Sequence, residues 1–163
     1  MSILEICQWL QNLGWATAIR ESIMVFPILE GSHLLGIAVM LAPTFLLDLR
    51  LLGWGWKGDS VGKVAYSFLP VTFAGAGLMV ITGALLFCSE AVKCYNSTFF
   101  RIKVVALIVA GCNPLIFHST IWRRLTEWEH FPSPPSQARW TGATSLLFWL
   151  AVVAAGRYTA YNL

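Results

Sequence analysis

The chain has 163 residues, of which 57% are hydrophobic and only 12% are charged, and its formal net charge is +3. Soluble domains carry roughly 25% charged residues, so this composition excludes an ordinary water-soluble enzyme. The basic residues are scattered along the chain, so we expect no nucleic-acid partner. The length accommodates about four spans of roughly 20 residues each. The predicted fold is therefore all-α: a single integral membrane domain, a bundle of four transmembrane helices, in a lipid bilayer.

The predicted elements begin with residues 3–19, whose apolar side chains share one helical face and indicate an amphipathic helix at the membrane interface. An early packed segment of the bundle fits the same pattern. In the second span, Gly75, Gly77 and Gly83 permit close helix packing. Asn96 and Ser97 are the candidate N-caps of the third. The four predicted spans cover about residues 22–47, 64–88, 99–122 and 140–161.

Flanking charges and cysteines bear on orientation. Six basic residues flank the spans on one side and five on the other, which under the positive-inside rule favours both termini outside the cytoplasm of a bacterial inner membrane. Cys88 and Cys94 are able to form a disulfide only if they face an oxidising compartment. The cysteine spacing does not predict a zinc site.

Three ionisable residues interrupt the spans: Glu30 and His33 in the first, and His118 in the third. Such groups are costly inside a bilayer, which makes each a functional-site hypothesis. Glu30 and His33 share a helix face, so the carboxylate is expected to orient the imidazole. Gly36 beside His33, and Gly111 beside His118, are expected to leave room for a flat cofactor. This pattern predicts haem b, with His33 and His118 as ligands of its iron.

Several alternatives stay open. His118 is expected to lie roughly 13 Å further along the bundle than His33, at about 1.5 Å per residue, so separate sites or a partner's ligand suit the depths better than one shared iron. The histidines also suit a packing role alone, with His33 paired to Glu30. A di-iron site built on Glu30 and His33 together with Glu127 and His130 is disfavoured, because the second and fourth spans supply no interior Glu.

The charged residues Glu21, Asp48 and Arg50 lie near the ends of the first span, where they suit a quinone head group or a partner protein. A set of residues through most of the chain resembles a family of uncharacterised bacterial four-span membrane proteins: Arg20-Glu-Ser, Pro27, Glu30-x-x-His33-x-x-Gly36, Asp48-x-Arg50-Leu-Leu-Gly53, Gly83, Asn113 and Phe117-His118. That family implies no activity. The architecture is similar, more loosely, to four-helix membrane cytochromes b, which pass electrons between quinones and a dehydrogenase.

The leading functional hypothesis is accordingly a membrane subunit of a redox complex, b-type-cytochrome-like, which passes electrons between quinone and a partner protein and is not a stand-alone enzyme. Its partners are expected to be other membrane or peripheral subunits. One alternative is a non-redox structural or anchoring subunit of a membrane assembly. Another is a small transporter or proton-conducting component, in which Glu30 and His33 form a protonatable pair.

Overall fold

The computed structural model describes residues 2–55, 58–120, 122–128 and 133–161, without the side chains of His118, Arg124, Thr126 and residues 159–161. All regular elements in these ranges are helical, which confirms the all-α prediction. Four helices, α3, α4, α6 and α8, are long and apolar enough to cross a membrane. The helices are α1 (Ile3–Gln11), α2 (Gly14–Glu21), α3 (Val25–Leu51), α4 (Val61–Ser89), α5 (Ala91–Asn96), α6 (Thr98–Thr120), α7 (Leu125–Trp128) and α8 (Ser136–Tyr161), with a 3-10 turn at Trp122–Arg124.

The N-terminal segment is two helices rather than the one predicted over residues 3–19. Helix α1 ends at Gln11, and Leu13 is extended, with φ −62° and ψ 137°. The Gln11 carbonyl accepts hydrogen bonds from Thr17 Oγ1 at 3.3 Å and from Arg20 Nη1 at 3.2 Å. These side-chain bonds satisfy a carbonyl at the end of α1. The apolar periodicity continues across the break and therefore gave no sign of it.

The four long helices pack in the order α4, α3, α8, α6, because α3 contacts both α4 and α8, and α6 packs mainly on α8. The two inner helices are the more enclosed. In the most apolar stretch of each helix, 39% of α3 and 33% of α8 are buried, against 11% of α4 and 11% of α6. Asp48 and Arg50 near the end of α3 are buried, whereas Glu30 is exposed.

The α3–α4 seam is the closest packing that the glycines of the described chain reveal. A Cβ built on Gly75 would lie 2.5 Å from the backbone nitrogen of Met40. A Cβ on Gly36 would lie 2.9 Å from the backbone nitrogen of Met79 and 3.2 Å from the Gly75 carbonyl. Small residues let two transmembrane helices approach until their backbones touch, and here they fix the register between α3 and α4.

Helix α8 joins the bundle through a further close contact and a polar link. A Cβ on Gly142 would lie 2.8 Å from the Asp48 carbonyl oxygen of α3. Asn113 of α6 donates through Nδ2 to the Thr141 carbonyl at 3.1 Å. An apolar core fills the space between the four helices: Met40, Leu41, Ala106, Ala110, Trp149 and Val152.

Short helices cover the end of the bundle at which α3 begins. Helix α1 packs on α5, and Arg20 of α2 donates to the Ser89 carbonyl at the end of α4, at 3.3 Å. The Gln11 side chain accepts a hydrogen bond from the backbone of Val92 at 3.0 Å. Ser97, one of the two predicted N-caps, accepts from the backbone nitrogen of Phe100 at 3.3 Å and thus begins α6.

Candidate functional site

His33 lies at the α3–α4 seam, with its imidazole against α4. Its Nδ1 is 3.1 Å from the Met79 carbonyl oxygen and 3.1 Å from Thr82 Oγ1. The ring rests on Gly83, where a Cβ would come within 2.9 Å of Cε1. A glycine at this position is therefore what admits the imidazole between the two helices.

The hydrogen bonds around His33 determine which ring nitrogen carries the proton. The Thr82 hydroxyl donates to the Leu78 carbonyl at 2.6 Å, so its oxygen is left to accept. The Met79 carbonyl is also an acceptor, and a proton on Nδ1 satisfies both. In the neutral imidazole, Nε2 then carries a free lone pair. Nε2 has no hydrogen-bond partner among the described residues.

Glu30 does not orient His33, contrary to the sequence-based expectation. Its side chain is exposed and forms no hydrogen bond or ion pair with any described residue. The orienting groups lie on α4 instead, at Met79 and Thr82. Helix periodicity placed Glu30 and His33 on neighbouring positions of one face, but it contained no information about the acceptors that α4 brings from 46 and 49 residues away. The two residues therefore form no hydrogen-bonded pair in the described structure, and the transporter hypothesis stays a prediction.

The two glycines predicted to make room for a flat cofactor do not do so. The backbone of α4 fills the space beside Gly36. Gly111 is exposed, and a Cβ built on it would meet nothing within 4 Å. It therefore lies on the outer surface of α6 rather than in the interior. A small residue in a span serves either close packing or an outward-facing surface, and the sequence did not distinguish the two.

His118 belongs to the far end of α6. Its neighbour Phe117 packs in an apolar cluster with Leu51, at the end of α3, 18 residues after His33. At about 1.5 Å per residue this separates the two histidine positions by roughly 27 Å along the bundle, too far for both to bind one iron. The side chain of His118 lies outside the described part of the chain.

Lys103 of α6 is a charged residue that the sequence-based interpretation treated only as a flanking charge. It is half-buried and lies close enough to His33 for an electrostatic interaction. Its Cε and Nζ are each 3.7 Å from the place where a Cβ on Gly156 would stand. Within the described ranges it forms no ion pair or hydrogen bond. A cation without a partner thus shares this end of the bundle with the free Nε2 of His33.

A second polar group lies at the other end of α3. The Asp48 side chain is hydrogen-bonded by Ser145 of α8, while its Oδ2 is buried and has no partner in the described ranges. Arg50 is 3% exposed, and its Nη2 donates to the Asp59 carbonyl at 3.0 Å. Within the part of the chain that the structure describes, its Nε and Nη1 are buried without a hydrogen-bond partner. The two charged residues of the Asp-x-Arg motif therefore have different partners, Asp48 on α8 and Arg50 beside the start of α4.

The described residues contain no group of three or more His, Cys, Asp or Glu side chains that could hold a metal ion. Glu127, predicted with His130 as the other half of the di-iron site, is exposed. His130 and its neighbour Glu129 lie outside the described residues.

All four cysteines are free thiols, so the structure contains no Cys88–Cys94 disulfide. Burial raises the pKa of the Cys94 thiol to about 11, and the Glu90 carboxylate contributes in the same direction. Because only the thiolate reacts readily, we expect Cys94 in the folded protein to resist iodoacetamide at pH 8 and to react as the pH approaches 11.

Peptide mass spectrometry after timed alkylation measures this reactivity, with protein unfolded in detergent as the fully accessible control. Rapid labelling of Cys94 at pH 8 in the folded protein would contradict the burial described here.

These features define a class: small α-helical membrane proteins that keep polar and ionisable side chains inside a four-helix bundle. Residues 19–162 match the model of a family described as a family of unknown function (DUF6644), and the chain belongs to that family. This agrees with the predicted likeness to an uncharacterised family. No curated protein and no solved structure matches the chain.

Proposed function

We propose that the protein is a membrane subunit of a redox complex, in which His33 would hold a b-type haem through Nε2. The proposal rests on the different surroundings of the two ring nitrogens of His33. Nδ1 is held by Met79 and Thr82, and Nε2 has no partner among the described residues. Ligating histidines are held in the same way, by a hydrogen bond from the ring N–H that is not at the metal.

Lys103 supports the proposal from α6. A half-buried ammonium group without a described acceptor suits an acidic group at the edge of a cofactor, such as a haem propionate. Its location near His33 allows one molecule to engage both residues. A bound haem would supply one-electron transfer between quinone and a partner protein, while His33 and Lys103 would bind and orient it.

A second ligand to the haem iron would come from another subunit. His118 is about 27 Å away along the bundle, and the Gly36 side of His33 is closed by α4. A cofactor shared between subunits would therefore lie on the side of His33 that carries Nε2, between this chain and a membrane partner. We place this complex in a bacterial inner membrane, with both termini of the chain outside the cytoplasm.

The haem content of the protein, purified together with its partner subunits from haem-replete cells, tests the proposal. We expect haem in the wild type and its loss in His33→Ala. Glu30→Gln is the matched control, because Glu30 lies one turn away without contacting His33, and it should keep the haem. Equal haem in His33→Ala and the wild type would refute ligation by His33.

A second function is favoured by the same hydrogen bonds. A structural or anchoring subunit needs its helices in a fixed register, and His33 links α3 to α4 across the Gly36–Gly75 seam. In that function the imidazole serves as an interhelical donor alone. A correctly folded complex without colour, in which His33→Ala weakens assembly, would favour the structural function over the redox one.

A further inference from the structure

Arg50 lies where α3 ends and α4 begins. Its guanidinium donates to the Asp59 carbonyl through Nη2 at 3.0 Å. Asp59 directly precedes Ser60, the N-cap of α4. The residue is 3% exposed, and both Nε and Nη1 are buried without a hydrogen-bond partner among the described residues. A guanidinium keeps its charge at any physiological pH, so two charged donors remain unsatisfied within the bundle.

The acidic residues nearby do not neutralise this charge. The Asp59 carboxylate is 2.6 Å from Lys63 Nζ and is engaged there. Asp48 is hydrogen-bonded by Ser145 and forms no ion pair with Arg50 in the described structure. A buried charge without a counter-charge is strongly unfavourable. The guanidinium therefore requires an acceptor from outside the described chain, and an anionic oxygen satisfies it best.

The start of α4 offers complementary donors. The first backbone N–H groups of a helix have no intrahelical acceptor, and the helix dipole favours an anion beside them. Ser60 Oγ accepts from the Lys63 N–H, which leaves the N–H groups of Val61 and Gly62 as candidate donors. Both residues are buried and closely follow Asp59, whose carbonyl Arg50 contacts. The connection before α4 contains Gly53, Gly55 and Gly58, and a Cβ on Gly55 or Gly58 would meet nothing within 4 Å. Glycines of this kind permit the local shift that an entering group needs.

The location favours a lipid as the source of the anion. Trp54, Tyr66 and Trp140 near this end of the bundle are each at least 68% exposed, as in the aromatic belts that mark a membrane interface. Phospholipid phosphates lie at that level. We propose that Arg50 and the N-terminus of α4 form a phosphate-binding site that takes the headgroup phosphate of a membrane phospholipid. This site is separate from His33 and does not depend on the redox function.

Thermal unfolding of the full-length protein in detergent tests the site with three additives: phosphatidylglycerol, diacylglycerol and inorganic phosphate. We expect phosphatidylglycerol to raise the Tm by several degrees and diacylglycerol, which lacks the phosphate, to leave it unchanged. The increase should vanish in Arg50→Gln and persist in Arg139→Gln, which removes an exposed cation near the same end of the bundle.

Equal effects of phosphatidylglycerol and diacylglycerol on the wild type would overturn the site without recourse to any variant. An increase with inorganic phosphate as large as that with the lipid would overturn the lipid as its source. If Arg50→Gln does not fold, Arg50→Lys replaces it. Because Lys lacks the planar fork of donors that Arg offers a phosphate, phosphatidylglycerol should dissociate from this variant more readily than from the wild type in native mass spectrometry. Lipid retention by Arg50→Lys equal to that of the wild type would also contradict the proposal.

Discussion

Gly75→Ala is expected to destabilise the protein by about 1–3 kcal/mol, because it forces a methyl group into a seam that is already closed. The new Cβ would lie 2.5 Å from the Met40 backbone nitrogen and 2.9 Å from both Met40 Cα and the Val39 carbonyl carbon. These are backbone atoms, so no side-chain rotation relieves the overlap. Relief requires α3 and α4 to separate, which also stretches the His33 hydrogen bonds. Denaturant unfolding in detergent micelles measures the loss.

Gly77→Ala is the matched control for this prediction. It lies two residues away on the same helix, and its Cβ would meet nothing within 4 Å. Alanine has a higher helix propensity than glycine by about 1 kcal/mol, so this variant should be as stable as the wild type or more so. Equal losses from Gly75→Ala and Gly77→Ala would contradict the close α3–α4 seam.

His33→Asn is expected to keep the fold and abolish haem binding. The asparagine amide reaches nearly the same place as Nδ1 and donates to the same acceptors, Met79 and Thr82, but it offers no counterpart of Nε2. His33→Leu, which has similar bulk and no donor, should in addition lose about 1 kcal/mol of stability, the usual size of an interhelical hydrogen bond in a membrane.

Unfolding midpoints and haem content measured on both variants separate the two roles of the imidazole. If His33→Asn retains the haem of the wild type, Nε2 is not the ligand. If His33→Asn is as destabilised as His33→Leu, the bond to α4 is not what His33 contributes to stability.

The architecture followed from the sequence because apolar stretches longer than about 18 residues have few alternatives to a spanning helix. The predicted first span, residues 22–47, corresponds to Val25–Leu51, and the second, residues 64–88, to Val61–Ser89. Boundaries shifted where capping decides them. Ser60 accepts a hydrogen bond from the Lys63 backbone N–H and starts α4 earlier than hydropathy suggested. The charged Lys63 lowers the mean hydropathy of the first turn, but it does not prevent the turn from being helical.

The candidate site was less predictable, because its contacts join distant parts of the chain. His33 stood out as an ionisable residue in a span, but Thr82, which holds it, resembles any hydroxyl in an apolar helix. The three glycines of α4 were grouped as packing residues, whereas Gly75 and Gly83 face α3 and Gly77 faces outward. Their spacing contains part of that signal: eight residues place Gly83 about 80° around the helix from Gly75, whereas two residues place Gly77 about 160° away.

Arg50 illustrates the same limit at the other end of α3. The sequence placed it beside Asp48 as a boundary charge, which suggested a shared role in binding a head group. Residues two positions apart on a helix point in directions about 200° apart. Asp48 therefore faces α8, and Arg50 faces the start of α4. Only the packing of three helices reveals that Arg50 retains two donors without acceptors.

Ligation of haem by His33 is tested most directly by chemical rescue. His33→Gly removes the imidazole, and free imidazole is small enough to enter the vacancy. In the complex purified with its partner subunits, we expect the wild type to show Soret and α-band signals in the reduced-minus-oxidised spectrum, His33→Gly to lack them, and added imidazole with haem to restore them. A folded, colourless wild-type complex from haem-replete cells, or bands in His33→Gly without imidazole, would contradict the account.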